Sequence, residues 1–575
     1  MEVPVLSPLK RLFRLIKAEK KDVYYLYGYA IIAGFINLSL PLGIQAIIGL
    51  VTAGQSSTSL VVLISFVLIG ILIAGVLQLM QFSLVEYLQQ RIFTNAALEF
   101  AYRIPRVKME AVLRIHTPEL MNRFFDTLTI QKGLSKILME ISTASLQILF
   151  GLLLLSFYHP FFIFLGMFFI LVLAFIIRIT APVGLQTSLK ESKHKYRVVH
   201  ILEEIARTLQ TLKLIGKTDL PEKNVDREVS QYLNARTKHF KILLIQMGSF
   251  IGFKFLVTGA LLILGSVLLI DRQINIGQFV AAEIIIIIIL NAVEKLINSL
   301  DIIYDVLTAL EKVGGVTDLP LEINKGININ KENNLGPFEI KIDHLNYRFP
   351  DNNEQVLYNI NYKFESGKKY CLSGFNGSGK NTFINVITGL YENYTGSIRY
   401  NGFSLRDLDM EELRLSIGDN LIYEDIFEGT IFENVAVNRP GISRKDVYDC
   451  LTLVGLNDFV AQQKEGINSL LIAGAKGLPG SIAQKLIMAR CIARKPRLLI
   501  INEGSIKLIP TEKAQLIREL FKLEATIIFV SNEKEIMQLC DETILLKNGE
   551  IIISGKYDNI QSNEFLKQII EYKNA

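Results

Sequence analysis

Six stretches of this chain are long and apolar enough to cross the roughly 30 Å hydrocarbon core of a bilayer. They lie near residues 24–51, 59–87, 140–158, 160–180, 244–270 and 277–300. Lipid offers no water to satisfy backbone N–H and C=O groups, so each crossing is expected to be a helix. The connections between them are very unequal. Short links (TAGQSST, His159-Pro160 and DRQINI) join the first to the second, the third to the fourth and the fifth to the sixth. Long polar segments, residues 88–139 and 181–243, separate the pairs. Lys and Arg crowd those long segments and the N-terminal residues, whereas the short links hold only Arg272. By the positive-inside rule both termini and both long segments are expected on the cytoplasmic side. The long segments read as helical throughout, so they should carry the spans about 50 Å or more beyond the membrane at 1.5 Å per residue.

Residues 1–22 read as a separate entry helix. Leu9, Leu12, Phe13, Leu15 and Ile16 alternate with Lys10, Arg11, Arg14 and Lys17 at helical spacing, as in a helix lying along a membrane surface. Charges inside spans are costly. Lys254 and Glu294 stand at similar distances from the link between the last two spans. They are expected to pair or face a watery interior, or alternatively to snorkel at the cytoplasmic interface. The isoleucine run 284–289 reads as lipid-facing or packing surface.

Charged residues make up 20% of a chain that is 50% apolar, which calls for a soluble part beside the membrane part. A net charge of +5 with no basic block argues against nucleic acid as a partner. Cys371, Cys450, Cys491 and Cys540 show no metal-ligand spacing and read as reduced thiols in a packed interior. Residues 313–337, rich in Asn, Gly and Pro, read as a linker after a membrane domain at 23–312. From residue 338 to 575, β-type runs (KYCLSG, RLLIINEG, TIIFVSN, TILLKNG) alternate with helical ones. The fold class is therefore an all-α six-helix transmembrane domain followed by an α/β domain, of the P-loop NTPase type by the GxxxxGK motif at residues 374–380.

The P-loop is Gly374-Phe375-Asn376-Gly377-Ser378-Gly379-Lys380, between the strand KYCLSG and a helical run that opens with Asn381 and Thr382. In that setting backbone N–H groups wrap phosphate oxygens, the helix N-terminus adds partial positive charge, and the lysine reaches the outer phosphates.

From this point the chain resembles the ABC exporter family along nearly its whole length. The entry helix, six spans, linker and one nucleotide-binding domain form that family's half-transporter layout. TPELMNRFFD (117–126) and EEIARTLQTLKLIGK (203–217) look like its coupling-helix regions, and IxIGQFVA (274–281) resembles the opening of the last span in type I secretion exporters. GTIFENVA (429–436), KPRLLIINEGS (495–505) and KNGEIIISG (547–555) match stretches of its nucleotide domain. The resemblance implies ATP as the cofactor, held by residues 374–382, with Phe349 in the place of the aromatic that stacks on adenine. It implies a membrane location, in a bacterial inner membrane, with the nucleotide domain cytoplasmic. The partners it implies are a second half-transporter, in a heterodimer or a homodimer, and a periplasmic adaptor.

Many positions depart from the family pattern. Asn381 stands where a Ser or Thr would ligate Mg²⁺, and Asn502 where an Asp would hold the metal's shell. Mg²⁺ favours hard, well-placed oxygens, so its ligation is expected to be weak. Glu503 retains the general-base position. Ile422 falls at the Q-loop Gln, Asn532 at the switch His and Ile509 at the D-loop Asp; the last histidine of the chain is His344. The signature reads Leu478-Pro479-Gly480-Ser481-Ile482. The expectation is an exporter subunit whose own hydrolysis is impaired and which works with a competent partner. The alternative is a catalytically silent subunit that senses nucleotide or supports a membrane complex.

Overall fold

The last apolar span lies at the centre of the helical part of the molecule. In the computed structural model, which describes residues 6–52, 58–113, 115, 117–323, 325–331, 336–350, 354–420, 426–506 and 508–574, the chain divides into two compact units. One comprises Met1–Arg106 and Arg114–Pro320, the other Val107–Leu113 and Leu321–Ala575.

The helical unit holds α1 (Pro8–Ala18), α2 (Lys20–Asn37), α3 (Ser39–Thr52) and α4 (Thr58–Arg103). α5 (Met109–Val112) falls within the segment that joins the other unit. Then come α6 (Thr117–Asn122), α7 (Asp126–Lys136), α8 (Ser142–Ser156), α9 (Phe161–Arg207), α10 (Leu209–Ile215), α11 (Leu220–Ile270) and α12 (Ile276–Thr317). Six helical segments are long and apolar enough to cross a membrane, one for each stretch read from the sequence. α4, α9, α11 and α12 run for 46, 47, 51 and 42 residues, so each continues well beyond the roughly 20 residues that a bilayer requires.

α12 packs on α7, α8, α9 and α11. Half of its most apolar window is buried inside the protein, against 28% or less for the other five segments, so its hydropathy serves packing as much as lipid contact. Ile285, Ile286 and Ile289 of the isoleucine run are buried, whereas Ile287 is exposed. A capping box starts the helix: Gln278 N donates to Asn275 Oδ1 and Asn275 N to Gln278 Oε1, both at 2.8 Å. At its other end α12 continues through Gly314 and Gly315, which the sequence reading placed in the linker. A Cβ on Gly314 would come within 2.3 Å of the Arg11 guanidinium, and Arg11 pairs with Asp318. These glycines make room for arginines rather than loosening the chain.

Lys254 and Glu294 do not pair. Lys254 is exposed, Glu294 is half-buried, and no ion pair joins them among the described residues. The inward face of α11 is set by Gln246, Phe250, Phe253, Val257 and Leu261, and Lys254 lies to one side of that row.

The α/β unit contains a six-stranded sheet in the order Glu550–Gly555, Glu542–Lys547, Lys369–Ser373, Thr526–Val530, Leu498–Asn502 and Ile417–Asp419. All neighbours are parallel except the Glu550–Gly555 edge strand. Leu498–Ile501 and Ile527–Phe529 are completely buried, as expected for parallel strands covered on both faces. An antiparallel sheet of Gln355–Phe364, Ile340–Arg348, Tyr394–Tyr400 and Phe403–Ser404 packs beside it.

α5 belongs to this unit through its polar contacts. Lys108 Nζ lies 2.6 Å from a Glu392 oxygen, Tyr347 OH donates to Glu110 at 3.0 Å, and Asn393 Nδ2 donates to Glu110 at 2.8 Å. The stretch 117–126, singled out in the sequence, begins four residues after this segment ends and falls in the helical unit.

Candidate nucleotide-binding site

Open parallel sheets bind ligands beyond the carboxyl ends of their strands. At that edge strand Lys369–Ser373 passes into the phosphate loop, and helix Lys380–Ile387 leaves it. The helix is anchored by Phe383, Ile384, Val386 and Ile387, all fully buried. The loop needs its glycines. Gly377 and Gly379 have φ of +81° and +99°, and a Cβ on Gly374 would sit 2.3 Å from the Leu546 carbonyl oxygen. Lys380 Nζ donates to the carbonyls of Gly374 (2.6 Å) and Phe375 (2.9 Å) and lies 3.4 Å from Ser378 Oγ. Burial lowers its pKa from the ordinary lysine value. Asn376 and Gly377 are exposed, Thr382 is half-buried, and Phe375 packs edge-on against Phe565. The half-buried ring of Phe349 meets Tyr347 and Tyr391 edge-on, with centroids 5.3 and 5.7 Å away.

Three asparagines and one ion-pair cluster complete the edge. Asn532 holds the start of the loop: its Oδ1 accepts from Ser373 Oγ (2.8 Å) and Gly374 N (3.2 Å), and its Nδ2 donates to the Gly374 carbonyl (3.2 Å). Asn502 Oδ1 accepts from Gly504 N at 3.1 Å and caps the turn that carries Glu503. Asn381 is exposed at the start of its helix. Among the described residues no group of three or more His, Cys, Asp or Glu side chains is arranged to hold a metal. With amides at residues 381 and 502, one already engaged by a backbone N–H, these residues do not fit Mg²⁺. The glycine cradle and Lys380 fit a phosphate chain.

Glu503 is 9% exposed and ion-paired with Lys513. Lys513 Nζ also lies 2.8 Å from Glu533, and Ser531 Oγ donates to the second Glu503 oxygen at 3.3 Å. Burial works against the Lys513 charge, but its bonds to Glu503 and Glu533 outweigh it, and the net shift is upward. Sequence reading missed Lys513, which belongs to none of the motifs. Only the surplus of charge in TEKAQ and SNEKE, facing a retained carboxylate, hinted at it.

Elsewhere, Pro479 precedes helix Gly480–Ile492, and Leu478 and Ile482 pack against the hydrophobic core rather than standing free. Ile509 is 61% exposed before the helix that begins at Pro510. Ile422 lies outside the described residues.

The profile of the ABC transporter transmembrane region matches residues 25–293, and that of the ABC transporter nucleotide domain matches residues 357–505. The chain belongs to the ABC transporter family. A lactococcin-A transport/processing ATP-binding protein of Lactococcus lactis subsp. lactis is 21% identical over 98% of this chain and 78% of its own length. An alpha-hemolysin translocation ATP-binding protein of Escherichia coli O157:H7 is 25% identical over 63% of this chain and 51% of its own. A bacterial Atm1-family ABC exporter solved with ATP bound shares the fold, with a TM-score of 0.86 at 15% identity over 97% of this chain and 98% of that one. As an ABC transporter with six apolar helical segments, the chain is a multi-pass membrane protein, an exporter subunit carrying an ATP-binding domain.

Proposed function

We propose that this subunit binds ATP without hydrolysing it at a useful rate and forms the non-catalytic half of a heterodimeric exporter, driven by a partner with an intact site. The observation that carries this reading is the engagement of Glu503 by Lys513, beside amides at residues 381, 502 and 532. Phosphoryl transfer to water needs a group that orients the attacking water, together with positive charge on the transferring phosphoryl oxygens. Here the retained carboxylate is committed to an ammonium, and the metal positions carry neutral amides. If each missing contact costs about 2–4 kcal/mol of transition-state stabilisation, two slow turnover roughly a thousandfold or more. The phosphate cradle and Phe349 support retained ATP binding, with little dependence on Mg²⁺.

The names of the relatives support a peptide or protein cargo, and the distribution of Lys and Arg supports a cytoplasmic nucleotide domain in a bacterial inner membrane. The resemblance of residues 274–281 to type I secretion exporters supports a periplasmic adaptor as a further partner. The test is reconstitution in liposomes. The chain alone should bind ATP in calorimetry with and without Mg²⁺ yet release phosphate at background rates, and a mixed pair with a competent half-transporter should transport. Robust phosphate release by the chain alone, abolished in Glu503→Gln, would overturn the reading.

A further inference from the structure

Lys513 has no counterpart among the motifs by which the site is read. Its side chain is 13% exposed and lies between the carboxylates of Glu503 and Glu533. Glu503 accepts from Ser531, and the next residue, Asn532, accepts the Gly374 amide of the phosphate loop. The residue that bonds Glu503 and the residue that bonds the loop are thus consecutive, Ser531 and Asn532, which places the lysine cluster beside the segment that anchors the loop. Glu503 and Glu533 follow the carboxyl ends of strands Leu498–Asn502 and Thr526–Val530, in the same parallel sheet as the strand that feeds the phosphate loop, so their negative charge lies at the edge where a triphosphate would bind and works against it. The residues at the family's Mg²⁺ positions do not fit that ion, so the charge balance has to come from the protein.

We propose that Lys513 is the resident counter-ion of the nucleotide site: paired with both Glu503 and Glu533, it offsets part of the negative charge that their carboxylates would otherwise set against a triphosphate. The inference rests on the ATP-binding reading above. Lys513 acts through the two carboxylates, so it is a positioning residue. Its role predicts a charge-dependent pattern that a merely structural contact would not give.

The experiment is calorimetric titration of the full-length protein in detergent with ATP and EDTA. Wild type should bind. Lys513→Met should weaken binding tenfold or more, because the positive charge shared by the two carboxylates is then removed, whereas Lys513→Arg should stay within about threefold of wild type. Adding Glu503→Gln to Lys513→Met should recover most of the loss. Glu503→Gln alone should tighten binding severalfold, an effect of opposite sign that keeps the test decisive if the methionine variant does not fold. Unchanged affinity in Lys513→Met, no recovery in the double variant, or weaker binding in Glu503→Gln would each overturn the counter-ion. A wild type that does not bind ATP at all would instead overturn the function proposed above.

Discussion

Asn532 anchors the start of the phosphate loop through a single amide group. An amide offers both donor and acceptor, and this one bonds Ser373, the last residue of its strand, and Gly374, the first of the phosphate loop. Asn532→Ala should leave the Gly374 amide without its acceptor, at about 1–3 kcal/mol for a buried polar group left unsatisfied, while the Gly374 carbonyl keeps Lys380. The expected result is weaker ATP binding in calorimetry with little change in helical content by circular dichroism; unaltered affinity would show that the loop holds itself. That residues 381, 502 and 532 are amides is legible in the sequence; what each amide bonds is not. Lys513 was not legible in that way. Its link to Glu503 depends on how helix Pro510–Phe521 folds back on the turn after strand Leu498–Asn502, a tertiary relation that no local pattern encodes.

Among the elements, α12 shows why hydropathy finds spans but not their neighbours. Its isoleucines register as lipid-soluble, yet Ile285, Ile286 and Ile289 are core residues. Gly184 of α9 marks where the polar side of that core is built. A Cβ there would come within 2.5 Å of the Tyr304 ring, and Tyr304 OH accepts from Gln246 at 2.7 Å while Gln246 also donates to Thr180 at 3.0 Å. Gly184→Val should therefore displace Tyr304 and break the link to α11, costing about 1–3 kcal/mol as overpacking does. A lower thermal midpoint of the detergent-purified protein is expected, and an unchanged midpoint would mean that Tyr304 swings aside freely. The helical reading of the long polar segments holds for the continuations of α4, α9 and α11, which lie against other helices, α9 with α11 and α2 with α4; the breaks near residues 104–108 were not legible. At α5, Glu110→Ala removes the acceptor for Tyr347 and Asn393. Hydrogen exchange at 107–113 should quicken while ATP affinity stays constant; equal loss of both would place the segment's role in the nucleotide site.

For the whole molecule, the unequal loops and the bias in Lys and Arg allow a direct test of orientation. All four cysteines belong to the α/β unit and three of them are buried, so single cysteines added to the helical unit report cleanly. Gln273→Cys, exposed between α11 and α12, should react with a membrane-impermeant maleimide in intact cells, and Lys193→Cys only after permeabilisation. The reverse pattern would invert the topology. The overall layout was legible because six apolar windows and a strand–loop–helix P-loop are local signals. The capture of Val107–Leu113 by the α/β unit was not, because the residues it bonds, Tyr347, Glu392 and Asn393, come more than 230 positions later. That separation has a consequence for biosynthesis. At about 5–20 residues per second a ribosome takes on the order of tens of seconds to deliver the binding surface after the short segment has emerged. Through that interval α5 has no docking surface, so a nascent chain arrested before residue 393 should expose it to proteases and chaperones.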